Sequence, residues 1–526
     1  MQRITLFIVT SFATIGSLLM NITPCKAETK SKLVVGITVN HFYPEWLYMY
    51  AHTLGNNGLN RIINGQSYMA SYDYLYSQTG VDQATIYTGL LPEEHGIISH
   101  NWYDRLRKQR VNNIEHSEYR GYSPAHLQAP TIGCMMKMND QFSKVYSVSV
   151  NAEEAILSAG SCANMALWQD EATGKWVSSN FYANKLPDWL TSYNQKNEPD
   201  FYVRRGWMPL NEEEHGASKP ASTSKSVLAQ INSKNKSSAT GTFFYDIVQT
   251  QKRYNTYRVL KATPYANMMV TDIANLLIKE EKLGKDNDPD LLMLNYTCLD
   301  YMNRDYPVDA KEFQDLLVRF DKDIAKLLTT LDEKVGKEHY TVFMTFAETR
   351  ELLPEDLENM RVKSDYFSIF KAVALLKSYL NLVYGKGDWL IDYDATQLYL
   401  NRALIEDKGL SLTEFQNKVA DFMIEFEGVA KTLTANALTH GTFSQGKEAL
   451  VQNNFSRKKS GDVIYYLLPG WSNELKSKED FYFRHSKRNV VPLFFAGAGI
   501  HKGNPKKCKI TDIVPILRNV MGMNEL

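Results

Sequence analysis

The chain has 526 residues, 44% of them hydrophobic, with lysine plus arginine balancing aspartate plus glutamate at 59 each. That balance excludes a global field for nucleic acid or an anionic membrane surface, so any partner must be recognised locally. Cys134, Cys162, Cys298 and Cys508 stand at wide spacings that fit neither a zinc site nor a dense disulfide framework, although export would permit disulfides.

In chain order, Met1-Gln2-Arg3 and the apolar run Ile4 to Met20 read as the charged and hydrophobic parts of a signal peptide. Cys25-Lys26-Ala27 supplies small residues for cleavage, so residues 1–27 are expected to be removed and the mature chain to start near Glu28. The run carries Thr, Ser and Gly and is short for a bilayer span, so no transmembrane segment is expected after cleavage. Lipidation at Cys25 is the lesser alternative, because Pro24 precedes it. The protein is therefore expected to be exported to the periplasm or envelope of a bacterium.

About 500 residues then remain, enough for one large α/β domain over 28–526 with insertions. Lys32 to Val39 is a continuous apolar run ending in Asn40-His41, the pattern of a buried parallel strand. Leu291 to Tyr296, leading to Asp300, repeats it, as does Tyr340 to Thr345, leading to Ala347-Glu348; Val491 to Phe495 is a further candidate. Phe313, Leu316, Leu317, Phe320, Ile324, Leu327, Leu328 and Leu331 predict a crossover helix. Strands alternating with helices imply a mostly parallel central sheet flanked by helices on both faces. Ser218 to Gly241 and Lys282 to Asp290 read as surface loops, Leu412 to Phe426 as an amphipathic helix and Asp462 to Leu468 as a strand. Smaller α+β insertions are expected near 180–260 and 395–469. In such a sheet, Asn40, Asp300 and Ala347-Glu348 should converge outside the carboxyl ends of the strands.

The most distinctive segment is Tyr76-Ser77-Gln78-Thr79-Gly80-Val81-Asp82, running on to Thr88-Gly89, followed by His95-Gly96 and His100-Asn101-Trp102-Tyr103-Asp104. Further landmarks are Ala155 to Gly160, Thr263-Pro264-Tyr265-Ala266-Asn267, Ser460-Gly461-Asp462-Val463, Pro469-Gly470-Trp471 and Thr511 to Pro515. On these residues the chain resembles the alkaline phosphatase superfamily over nearly its full mature length. The branch it resembles comprises exported bacterial alkaline phosphatases and type I phosphodiesterase/nucleotide pyrophosphatase-like enzymes with a threonine nucleophile.

The resemblance implies Thr79 as the nucleophile position and a two-zinc site around it, since metal coordination activates a hydroxyl. Asp300 matches a family metal ligand, but the histidine expected four residues later is Arg304. The family's first-strand aspartate is Asn40, its Asp-His pair is Ala347-Glu348, and its distal histidine position is Val490. The phosphate-gripping groups change as well: the asparagine position aligns with His100, beside Asn101, and the Lys and Arg of a Lys-Asp-Arg segment become Asn151 and Glu153. A carboxylate in place of a guanidinium repels a phosphoryl group. Only Thr79 and Asp300 persist, so no cofactor is expected and the chain reads as a pseudoenzyme. The envelope partner would be a protein, a glycan or a small anion. The alternative is a hydrolase of phosphoric or sulfuric esters with zinc or another divalent metal, rebuilt around His41, Asp300, Glu348 and Glu153.

Blander readings accompany these. Thr79 reads as a helix N-cap or surface residue. Arg304 is expected to pair with Asp300 or Glu348, with Arg488 close to the same pocket. His95, His215, His339, His440 and His501 read as structural.

Overall fold

The computed structural model describes residues 30–119, 121–210, 243–301, 310–348, 354–474 and 489–523. Residues 1–27, Ser218 to Gly241, His215, Arg304 and Arg488 lie outside them. A nine-stranded sheet forms the centre. From one edge its strands are Lys506–Lys509, Gln66–Ser71, Val490–Gly497, Tyr340–Ala347, Leu33–Asn40, Asp290–Tyr296, Val145–Ser149, Met165–Gln169 and Trp176–Val177. Five of the eight pairings are parallel, so the sheet is mixed. Val490–Gly497 departs from the parallel pattern, antiparallel to both neighbours, and the edge strand Trp176–Val177 runs antiparallel to Met165–Gln169. The apolar run of Val490–Gly497 shows burial, which does not encode direction.

The first strand is buried at every position, as its unbroken apolar run requires. It lies between Asp290–Tyr296 and Tyr340–Ala347, both parallel to it. That register sets Asn40 beside Ala347 and Val39 beside Tyr296, so the chemistry that follows these strands gathers at one edge. The crossover helix spans Lys311–Lys334 and buries Phe313, Leu316, Leu317, Phe320, Ile324, Leu327, Leu328 and Leu331. Their 3.6-residue spacing puts them on one face.

A second apolar core, from Phe367 to Trp471, lies under a four-stranded sheet of Leu390–Tyr393, Gln397–Leu400, Val463–Leu467 and Val429–Thr434. The helix Leu412–Ile424 packs on that sheet. Asp462 is fully buried and accepts from the Arg105 and Arg402 guanidiniums, the Gln416 amide and the Leu400 N–H. Arg105, with Arg110 on Asp392, ties the hairpin Asn101–Asp104/Gln109–Asn112 to this unit. Cys134 and Cys162 form a disulfide, whereas Cys298 is a buried thiol that donates to the Thr263 carbonyl. No helix among the described residues is long and apolar enough to cross a membrane.

Candidate functional site

Thr79 opens the helix Thr79–Thr88 and is 8% exposed. It is therefore neither a surface residue nor the N-cap: Gln78 holds the cap position, but its side-chain oxygen accepts the His100 N–H at 2.6 Å and does not cap the helix. The helix start is satisfied from elsewhere. Both the Thr79 N–H, at 2.9 Å, and its hydroxyl, at 2.6 Å, donate to Oε2 of Glu348.

Glu348 is delivered by the end of strand Tyr340–Ala347 and has a positive φ of 41°. His41, one residue past Leu33–Asn40, has φ 50° and donates its N–H to the carbonyls of Ala347 and Glu348. These two left-handed turns aim both side chains at one place, where His41 Nε2 stands 3.4 Å from Glu348 Oε1. Burial raises the Glu348 pKa, but His41 and the two Thr79 donors outweigh it, leaving the carboxyl below its ordinary value. Its own N–H donates to Oδ2 of Asp82 at 2.8 Å. Asp82 also accepts from the Ser77 and Tyr74 hydroxyls, yet complete burial pushes its pKa to about 7.

The second residue of the helix, Gly80, admits another carboxylate. A Cβ there would lie 2.0 Å from Oε1 of Glu153, so that oxygen rests against the first helical turn. The Asn113 amide donates to the same oxygen at 2.6 Å, and His100 Nδ1 is 2.7 Å from Oε2. Because the Asn112 amide points at His100 Nε2 at 3.0 Å, the imidazole carries its proton on Nδ1 and donates it to Glu153. Asn101 is one residue further along, and its amide oxygen is 3.4 Å from the same Asn112 nitrogen.

Asn40 and Asn151 converge on a different acceptor. Their amides donate to Oε1 of buried Glu154 at 3.4 and 3.1 Å, and Lys261 Nζ donates to Asn151 Oδ1 at 3.3 Å and to Glu171 Oε1 at 2.9 Å. Burial lowers the Lys261 pKa even though Glu171 opposes the shift.

The strand ends thus bring together Asn40, His41, Thr79, His100, Asn151, Glu153, Ala347 and Glu348. Asp300 lies in the short helix Cys298–Tyr301, its side chain outside the described residues. Val490 pairs with Ser71 and its alkyl side chain is half-exposed. His95, by contrast, is buried inside the fold, bonded to Thr85 and Ile97, and burial pushes its pKa down to about 3. Sequence reasoning missed Asp82, Asn113, Glu154 and Lys261. The one signal for Asp82 was its place three residues after Thr79, within the first helical turn.

The family profile for type I phosphodiesterase / nucleotide pyrophosphatase matches residues 34–345. The chain belongs to this family. Among its relatives, a protein named "Calcium-transporting ATPase" from Myroides odoratus is 28% identical over 516 residues, covering 94% of this chain and 92% of its own. Alkaline phosphatase PafA from Elizabethkingia meningoseptica is 26% identical over 515 residues, with the same coverage of 94% and 92%. The crystal structure of an alkaline phosphatase PafA has the same fold, with a TM-score of 0.83 at 24% identity, covering 94% of this chain and 96% of that one. Membership of the alkaline phosphatase superfamily follows from these together.

The resemblance implies two zinc ions, and the described residues at their positions offer few donors. A zinc site takes three or four nitrogen, oxygen or sulfur ligands. Among the described residues, Asn40 offers a neutral amide bonded to Glu154, Ala347 a methyl, Val490 a half-exposed isopropyl and Glu348 a carboxylate already bonded to the helix start. Among the described residues no cluster of three or more His, Cys, Asp or Glu could hold a metal ion.

Proposed function

We propose that this chain is an exported family member that has lost phosphoester hydrolysis and works in the cell envelope by binding or assembly, with a protein, a glycan or a small anion as partner. The observation that carries the reading is the Thr79–Glu348 contact. The hydroxyl that would attack phosphorus donates instead to a carboxylate that is held below its ordinary pKa, and such a carboxylate is a weak base toward an alcohol. A phosphoryl dianion approaching Thr79 would also meet Glu348 and Glu153, where catalysis calls for cationic or hydrogen-bond donors. Purified mature protein should contain less than one zinc per chain and show no phosphomonoesterase turnover. Two bound zinc ions with turnover would sink the proposal.

A second reading has its own support: the 2.6 Å Thr79–Glu348 contact is also within reach of general-base chemistry, and relatives carry alkaline phosphatase names. On that reading the chain is a metal-dependent hydrolase of phosphoric or sulfuric esters with a remodelled site. It requires hydrolysis that depends on both Thr79 and an added divalent metal.

A further inference from the structure

We infer that Glu348 and Glu153 act as an internal anion, occupying the start of the Thr79–Thr88 helix and excluding tetrahedral oxyanions that would otherwise bind there. The inference rests on the proposed loss of hydrolysis and adds what took the substrate's place. A ten-residue helix start offers free N–H groups and a positive dipole end, a natural seat for phosphate. In this chain the Thr79 N–H and hydroxyl already converge on one Glu348 oxygen, and a Glu153 oxygen lies where only a glycine leaves room.

The two carboxylates come from separate elements, and each is fixed independently. Glu348 follows the strand Tyr340–Ala347 and is held through its backbone by Asp82 and through its side chain by His41. Glu153 lies in the first turn of the helix Ala152–Ala159 and is held by Asn113 and His100. Both are nearly buried, with side chains 9% and 13% exposed, so neither can swing into water without breaking those contacts. A phosphate at this helix start would compete with Glu348 for the Thr79 N–H and would stand against the like charge of Glu153 beside Gly80, and the covalently attached anions win by proximity.

The test is binding of inorganic phosphate to the full mature chain, followed by calorimetry and by the shift in melting temperature, with sodium chloride at matched ionic strength as control. The wild type should show no shift up to tens of millimolar phosphate. Glu153→Ala/Glu348→Ala should gain a phosphate-dependent rise in melting temperature and at least tenfold tighter binding, and the isosteric pair Glu153→Gln/Glu348→Gln should gain the same in direction. The glutamine pair decides if the alanine pair fails to fold. Wild-type binding as tight as the variants', or folded variants that remain indifferent to phosphate, would overturn the inference. Hydrolysis is not part of the readout: turnover by the wild type would defeat the proposed function, whereas phosphate-blind variants would defeat only the internal anion.

Discussion

Two polar clusters lie along the carboxyl edge of the same sheet, and they are built in different ways. Around Glu348 the backbone itself is bent, with positive φ at both His41 and Glu348, and a buried carboxylate is committed to a helix start. Around Glu154, neutral amides from Asn40 and Asn151 relay to Lys261, and no residue of that cluster has a positive φ. The first cluster is a specific, strained contact between a strand end and a helix; the second is a hydrogen-bonded filling of space. Left-handed backbone on non-glycine residues persists only where surrounding contacts over-determine it. The Glu348 cluster should therefore be the less tolerant of the two.

The largest expected effect is at Asp82, which holds the Glu348 backbone and accepts three hydrogen bonds while fully buried. Asp82→Ala should cost about 3–5 kcal/mol in urea unfolding at pH 6, because three donors lose their acceptor. The pH dependence of Asp82 has a defined sign. Its folded pKa of about 7 lies above the ordinary 3.8, so its contribution to stability is fully present below about pH 4 and lost as pH rises to about 7. Asp82→Asn should flatten that falling limb, and an unchanged pH profile would refute the assignment. Glu348 runs the opposite way, contributing stability above its ordinary pKa that is lost as pH falls.

In the second cluster the expected effect is smaller. Lys261→Met should cost about 1–2 kcal/mol, since Asn151 keeps its bond to Glu154 and the partly exposed Glu171 can turn to water. A loss as large as that at Asp82 would erase the contrast between the clusters. The smallest effect is decided by its sign. Alanine for glycine inside a helix normally stabilises by about 1 kcal/mol. Gly80→Ala should instead destabilise by about 1 kcal/mol, because the new methyl meets the Glu153 carboxylate. Stabilisation on thermal unfolding would mean that Glu153 does not rest on the helix.

The sheet was legible because buried strands must be apolar throughout: Leu33–Asn40, Asp290–Tyr296 and Tyr340–Ala347 announce themselves and fix where the site gathers. The antiparallel direction of Val490–Gly497 was not, since direction leaves no trace in composition. The changed residues at Asn40, Ala347, Glu348, Asn151 and Glu153 could be read against the family pattern. Their new partners could not. Thr79 and Glu348 are 269 positions apart, and their contact depends on strand register and on two left-handed turns that no local pattern specifies. The Cys134–Cys162 bridge was hidden likewise, because four cysteines permit three pairings.

On the proposed function, Thr79 is a hydroxyl held by a carboxylate and not a nucleophile. The most direct test is phosphomonoester hydrolysis by the wild type and by Thr79→Ala, each with and without added zinc. All four rates should match the buffer background. Zinc-dependent turnover in the wild type that Thr79→Ala abolishes would contradict the proposed function.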